Sequence, residues 1–124
     1  MSRPPDMRII LALTLVHFTG DFYNSFVNPL LPVFVEELSL TLTQVGIITG
    51  SVRFLAFVVQ PTVGYVADRH PTRIFALGGL LVTAVFIPLA GIAGSFPILI
   101  LCLALGSLGS SMFHPTATGM VPVY

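Results

Sequence analysis

The side chains best suited to chemistry lie in the segment HFTGDFYNSFVN, residues 17–28, which interrupts an apolar stretch. His17 and Asp21 are four residues apart, so in a helix they stand one above the other, and an imidazole beside a carboxylate can pass on a proton. Asn24 and Asn28 continue the same spacing. At about 100° per residue, a stripe roughly 80° wide holds Thr14, His17, Asp21, Asn24 and Asn28. The pattern predicts a helix that lines a polar space, with Asp21 as its proton-binding or ion-pairing group.

A purely structural interpretation of this stripe also stands. His17 and Asp21 would then satisfy each other by hydrogen bonding, while the asparagines would join neighbouring helices. Because charged side chains in a membrane span nearly always face a bundle interior or a wet cavity, we favour the interpretation as a pathway.

The composition indicates that the surrounding solvent is lipid. Of the 124 residues, 55% are hydrophobic and 8% are charged, whereas soluble domains carry about a quarter charged residues. The segment from Ile74 to Tyr124 contains no Asp, Glu, Lys or Arg. It is long enough to cross a bilayer twice, because one crossing takes about 20 apolar residues. The net charge of zero and the absence of a basic run argue against nucleic-acid binding. We therefore expect an all-α integral membrane protein.

Apolar runs and turn signals divide the chain into four predicted transmembrane helices, at residues 8–34, 43–66, 72–92 and 97–118. Two arginines, Arg3 and Arg8, lie at the start of the first helix. Two more, Arg69 and Arg73, lie at the turn between the second and third helices. The positive-inside rule places the N-terminus and that turn in the cytoplasm.

The second predicted helix carries a possible partner for Asp21. Arg53 is predicted near the bilayer midplane, as Asp21 is, and it shares a helix face with Gln60. On that face the motif GIITG, residues 46–50, is a small-xxx-small pattern that allows another helix to approach closely. We expect Arg53 and Asp21 to pair with each other or to share an anion.

The turn after the second helix, GYVADRHPTR, resembles the signature that the major facilitator superfamily carries between its second and third helices. The matching residues include Gly64, Asp68, Arg69 and Arg73, whereas Pro71 stands where the family usually has glycine. Together, HFTGD, QPTVGYVADR and GSLGSSMFHPTATG are similar to the fosmidomycin-resistance-protein branch.

The resemblance implies the first four helices of a twelve-helix secondary transporter in a bacterial inner membrane. Such a protein would export a small molecule or drug against a proton gradient, without a cofactor or enzymatic activity, and with the remaining helices as partners. By the same resemblance, Asp68 would help to lock the outward-open state, with Arg69 and Arg73 in its cluster. His114 would contact either the substrate cavity or a backbone carbonyl.

Three other functions remain open. A four-helix multidrug transporter acting as a dimer also carries a carboxylate in its first helix, and a non-transporting assembly fragment would need none. An intramembrane hydrolase or metal site would use His17, Asp21 and His114, but spacing places only the first two on one face, so no metal is expected. Because the chain ends in VPVY without the connection that should follow a fourth helix, the sequence predicts an N-terminal portion of a transporter.

Overall fold

The computed structural model describes residues 6–69 and 72–120, and within these ranges the ordered elements are all helices. Their bounds are α1, Met7–Ser25; α2, Val27–Leu38; α3, Leu42–Ala67; α4, Thr72–Ala90; and α5, Phe96–Met120. Helix α5 occupies the centre of the bundle and packs against α1, α3 and α4. Its side chains supply much of the buried core, including Leu99, Leu103 and Phe113.

The first predicted helix, residues 8–34, is found as two helices that meet at Phe26. Pro29 has no N–H group, so the carbonyl of Ser25 loses the donor that would continue the helix. At the interruption, the amide of Phe26 donates a hydrogen bond to the carbonyl of Tyr23, at 3.4 Å. Helix α2 then runs beyond the predicted end and stops at Ser39, whose left-handed backbone has a φ of 49°.

Helix α3 begins with a reciprocal cap. The hydroxyl of Thr41 accepts a hydrogen bond from the Gln44 amide at 3.2 Å, and the Gln44 side chain accepts one from the Thr41 amide at 2.8 Å. Two backbone donors that the first helical turn leaves unpaired are thereby satisfied. This cap fixes where the chain enters the second long apolar helix.

Within the described residues, three helical segments are long and apolar enough to cross a membrane: 42–67, 73–90 and 96–116. Helix α1 has 19 residues but is not among them, because the polar residues of the stripe lower its mean hydropathy. Together with the family relationship given below, these segments make the chain an integral membrane protein.

The closest helix contact joins α4 to α5 at two glycines. A methyl group added at Gly79 would lie 2.6 Å from the carbonyl oxygen of Gly109, and one added at Gly109 would lie 2.5 Å from that of Gly79. Four residues along α4, the fully buried hydroxyl of Thr83 donates to the Gly106 carbonyl at 2.9 Å. Small residues therefore bring the two backbones together, and a hydrogen bond fixes their alignment.

The GIITG motif does not provide such a contact in the part of the chain that the structure describes. A methyl group added at Gly46 or Gly50 meets no atom within 4 Å. The motif permits a close approach, but it does not determine which helix makes one.

We expect Thr83→Val to lower the free energy of unfolding by about 0.6 kcal/mol and by no more than about 1.7 kcal/mol, the average and the maximum for hydrogen bonds between membrane helices. The substitution keeps the side-chain volume and removes the side-chain donor to the Gly106 carbonyl. Denaturant unfolding in detergent measures the effect. Thr62→Val is the matched control, because Thr62 is exposed and bonds only to Val58 of its own helix, at 2.7 Å. Equal losses in the two variants would contradict a specific role for the α4–α5 bond.

Candidate functional site

The site lies where α1 crosses α5. Gly20 of α1 is buried, and a methyl group added there would overlap the ring of Phe113, whose side chain is fully buried. The absence of a side chain at Gly20 thus lets the aromatic ring of α5 seat directly on the backbone of α1. This contact brings the next residue of α5, His114, alongside Asp21.

Asp21 binds two histidines from two helices. Its Oδ2 lies 3.2 Å from Nε2 of His17, one turn earlier on α1, and its Oδ1 lies 3.2 Å from Nε2 of His114 on α5. The side chains are partly accessible, with exposed fractions of 35% for His17, 49% for Asp21 and 28% for His114. We call these three residues the His-Asp-His cluster.

Aromatic packing holds the two imidazoles in place. The ring of His17 meets that of His114 edge to face, with centroids 4.9 Å apart, and it meets Phe113 in the same way at 5.8 Å. The rings of Phe113 and His114 lie nearly parallel, with centroids 4.5 Å apart. Because Phe113 is buried against Gly20, these contacts restrict the rotation of both histidines.

The His-Asp-His cluster can support two kinds of chemistry. A carboxylate between two imidazoles can accept, hold and pass on a proton. The same groups are also metal ligands, and their ligand atoms all lie within 4.8 Å of one another. The sequence placed His17 and Asp21 on one face, and the structure adds His114 from a different helix.

Arg53 lies apart from this cluster. Both oxygens of Asp21 face histidines, and Arg53 forms no ion pair with Asp21 in the described chain, so the expected pair is not present. Arg53 instead lines a cavity of about 130 Å³ together with Asn28 of α2 and Thr49 of α3. Asn28 thus lies beside α3 and not in the cluster. Of the other predicted residues, Asn24 is half-buried and Gln60 is exposed.

The turn motif contacts the same helix that completes the cluster. A methyl group added at Gly64 would lie 3.9 Å from Cβ of Pro115, so the end of α3 passes beside the residue that follows His114. Asp68 ends α3 and is exposed, and the guanidinium of Arg69 lies 3.9 Å from the ring centroid of Tyr65. Arg73 lies at the start of α4 and lines an apolar groove with Arg8. The intervening His70 and Pro71 lie outside the described residues.

Comparison with known proteins gives a match to a family. Residues 13–124 match the sequence profile described as the Major Facilitator Superfamily. No solved structure gives a significant match.

Individual relatives agree with this match. The chain is 34% identical to the fosmidomycin resistance protein of Escherichia coli strain K12, over 89% of the chain and 27% of that protein. It is 32% identical to the uncharacterized MFS-type transporter YfnC of Bacillus subtilis, over 86% of the chain and 26% of the relative. It is 25% identical to the quinolone resistance protein NorA of Staphylococcus aureus, over 77% of the chain and 24% of the relative. The chain thus spans about a quarter of the length of the relatives that it matches.

Proposed function

Because the chain belongs to the Major Facilitator Superfamily, we propose that it forms part of a secondary transporter that exports a small molecule or drug in exchange for protons. The observation that carries the proposal is the His-Asp-His cluster, which joins an acid of α1 to a histidine of α5. Relatives named for resistance to fosmidomycin and to quinolones support export of a drug-like compound.

The cluster links proton binding to the contact between two helices. When Asp21 is ionised, its two oxygens attract the Nε2 groups of His17 and His114, each 3.2 Å away, and thereby tie α1 to α5. A proton on Asp21 removes this negative charge, so the link to His114 weakens. Alternating access requires that packed helices have two arrangements, and a proton-dependent link between helices selects between them. His17 passes the proton to or from Asp21.

The second polar region supplies a path for substrate. Arg53 and Asn28 line their cavity on the α2 and α3 side of the bundle, and Gln60 lies two turns farther along α3. We assign these residues, with Asn24, to the substrate pathway. Their cationic and amide groups suit an anionic or zwitterionic compound.

The turn motif serves as the conformational gate. Asp68 caps the end of α3 and Arg69 follows it, while Arg73 lies in the first turn of α4. Gly64 lets the end of α3 pass beside Pro115. In this proposal the exposed Asp68 binds the other half of the transporter in the outward-open state. By the positive-inside rule, we assign this turn and the N-terminus to the cytoplasm, and we assign the protein to the bacterial inner membrane, without enzymatic activity.

Drug export by the intact gene product that contains residues 1–124 tests the proposal. When the intact gene product is expressed in an efflux-deficient bacterium, we expect resistance to fosmidomycin or to a quinolone to rise. A protonophore is expected to abolish the accompanying drug efflux. Inverted membrane vesicles should show drug-dependent proton movement. Efflux that persists after the proton gradient collapses would contradict proton coupling, and the absence of any transported compound in a wider drug panel would contradict export.

A further inference from the structure

We propose that His17, Asp21 and His114 form a binding site for one divalent transition-metal ion, Zn²⁺ above all, which competes with the proton for Asp21. The proposal concerns metal binding by the protein and does not depend on the transported compound. Each residue offers one ligand atom, and the three atoms come from two different helices.

The separations of the ligand atoms suit a zinc-sized ion. Zinc binds imidazole nitrogen at about 2.0–2.1 Å and carboxylate oxygen at about 2.0–2.2 Å, so two ligands of a tetrahedral ion lie about 3.4 Å apart. Oδ2 of Asp21 lies 3.2 Å from Nε2 of His17, and Oδ1 of the same carboxylate lies 3.2 Å from Nε2 of His114. The longest separation within the group is no more than 4.8 Å, so an ion needs to draw the two imidazoles together by roughly 1 Å.

The types of ligand favour a transition-metal ion over calcium or magnesium. Imidazole nitrogen favours zinc, cobalt, nickel and copper, whereas calcium and magnesium prefer a shell of oxygen atoms. Two imidazoles and one carboxylate match the ligand set of known zinc sites that have three protein ligands and an open fourth position. Asp21 is about half exposed, at 49%, so water can complete the coordination.

The surroundings hold the ligands before an ion arrives. Phe113 packs against the rings of both histidines, with centroids 5.8 Å from His17 and 4.5 Å from His114, and Gly20 anchors Phe113 to α1. A site whose ligands are already oriented loses less conformational freedom on binding. An ion bound by Asp21 and His114 would replace their direct contact and join α1 to α5 through the metal.

Cobalt binding tests the site directly, because tetrahedral Co²⁺ has visible absorption bands that aqueous Co²⁺ lacks. The intact gene product is purified in detergent without a polyhistidine tag and titrated with CoCl₂. We expect bands that saturate at one ion per chain and disappear when Zn²⁺ is added. His114→Ala should weaken binding by at least about tenfold, as the loss of metal-site residues commonly does. His70→Ala is the matched control and should bind as the wild type does.

Two further variants keep the test decisive if a ligand substitution disturbs folding. His114→Cys replaces an imidazole with a thiolate, another zinc and cobalt ligand, and should restore binding with a new sulfur-to-cobalt charge-transfer band. Asp21→Asn should bind more weakly while eluting from size exclusion as the wild type does. Absence of tetrahedral bands in the folded wild type would overturn the proposal, as would bands that persist unchanged in His114→Ala.

Discussion

Asp21→Asn is expected to reduce proton-driven drug export to the background of cells without the protein. Asparagine has nearly the shape of aspartate and can still contact His17 and His114, but it cannot bind and release a proton. The link between α1 and α5 then no longer responds to the proton gradient. Accumulation of the exported drug in energised cells or vesicles measures the loss.

Substrate exchange separates the loss of coupling from the loss of folding. Exchange of labelled for unlabelled drug across the membrane needs the transport path but no net proton movement, so Asp21→Asn should retain it. Glu36→Gln is the control for removing an acid, because Glu36 is exposed near the end of α2, away from the cluster. Undiminished uphill export by Asp21→Asn would contradict the proposed role, as would an equal loss in Glu36→Gln.

Gly79→Ala is expected to destabilise the helix bundle by about 1–3 kcal/mol, the usual result of forcing extra volume into a packed interior. The new methyl group would lie 2.6 Å from the Gly109 carbonyl oxygen and 2.9 Å from the amide nitrogen of Phe113. These atoms belong to the backbone, so no side-chain rotation relieves the overlap. Helices α4 and α5 must move apart, which also weakens the bond between Thr83 and Gly106.

The neighbouring glycine provides a matched control for Gly79. A methyl group added at Gly78 meets nothing within 4 Å, so Gly78→Ala should leave stability unchanged or raise it slightly through improved helix propensity. The midpoint of thermal unfolding in detergent measures both variants. Similar midpoints for Gly78→Ala and Gly79→Ala would contradict the close packing of α4 on α5.

The sequence predicted the polar stripe of α1 because helical spacing depends only on local geometry. His17 and Asp21 therefore lie together as expected. Spacing gives the face of one helix, however, and not the rotation of its neighbours about their own axes. For that reason the sequence could not choose between Arg53 and His114 as the partner of Asp21.

The resemblance to the family contained a clue to the correct partner. The resemblance rests in part on two motifs that are distant in the sequence, HFTGD and GSLGSSMFHPTATG. In the structure these motifs pack against each other through Gly20 and Phe113. The small size of Gly20 and the large ring of Phe113 are complementary, but they are far apart in the chain. Their complementarity becomes visible only when the fold brings α1 and α5 together.

The break in the first helix illustrates a second limit. The sequence predicted one helix over residues 8–34, whereas Pro29 removes the donor for the carbonyl four residues earlier and the helix is interrupted at Phe26. The stripe expected to line one surface is divided, because His17 and Asp21 belong to the cluster and Asn28 lines the cavity beside Arg53.

Three consecutive residues of α5 contact three different parts of the chain: Phe113 packs on Gly20, His114 binds Asp21, and Pro115 lies beside Gly64. Inserting or deleting one residue in α5 before Phe113 would rotate this triplet by about 100° and shift it by about 1.5 Å along the helix axis. All three contacts would be lost together, whereas a substitution at an exposed position of α5 such as Leu101 would leave them intact. The number of residues between the start of α5 and Phe113 should therefore tolerate less change than their identities.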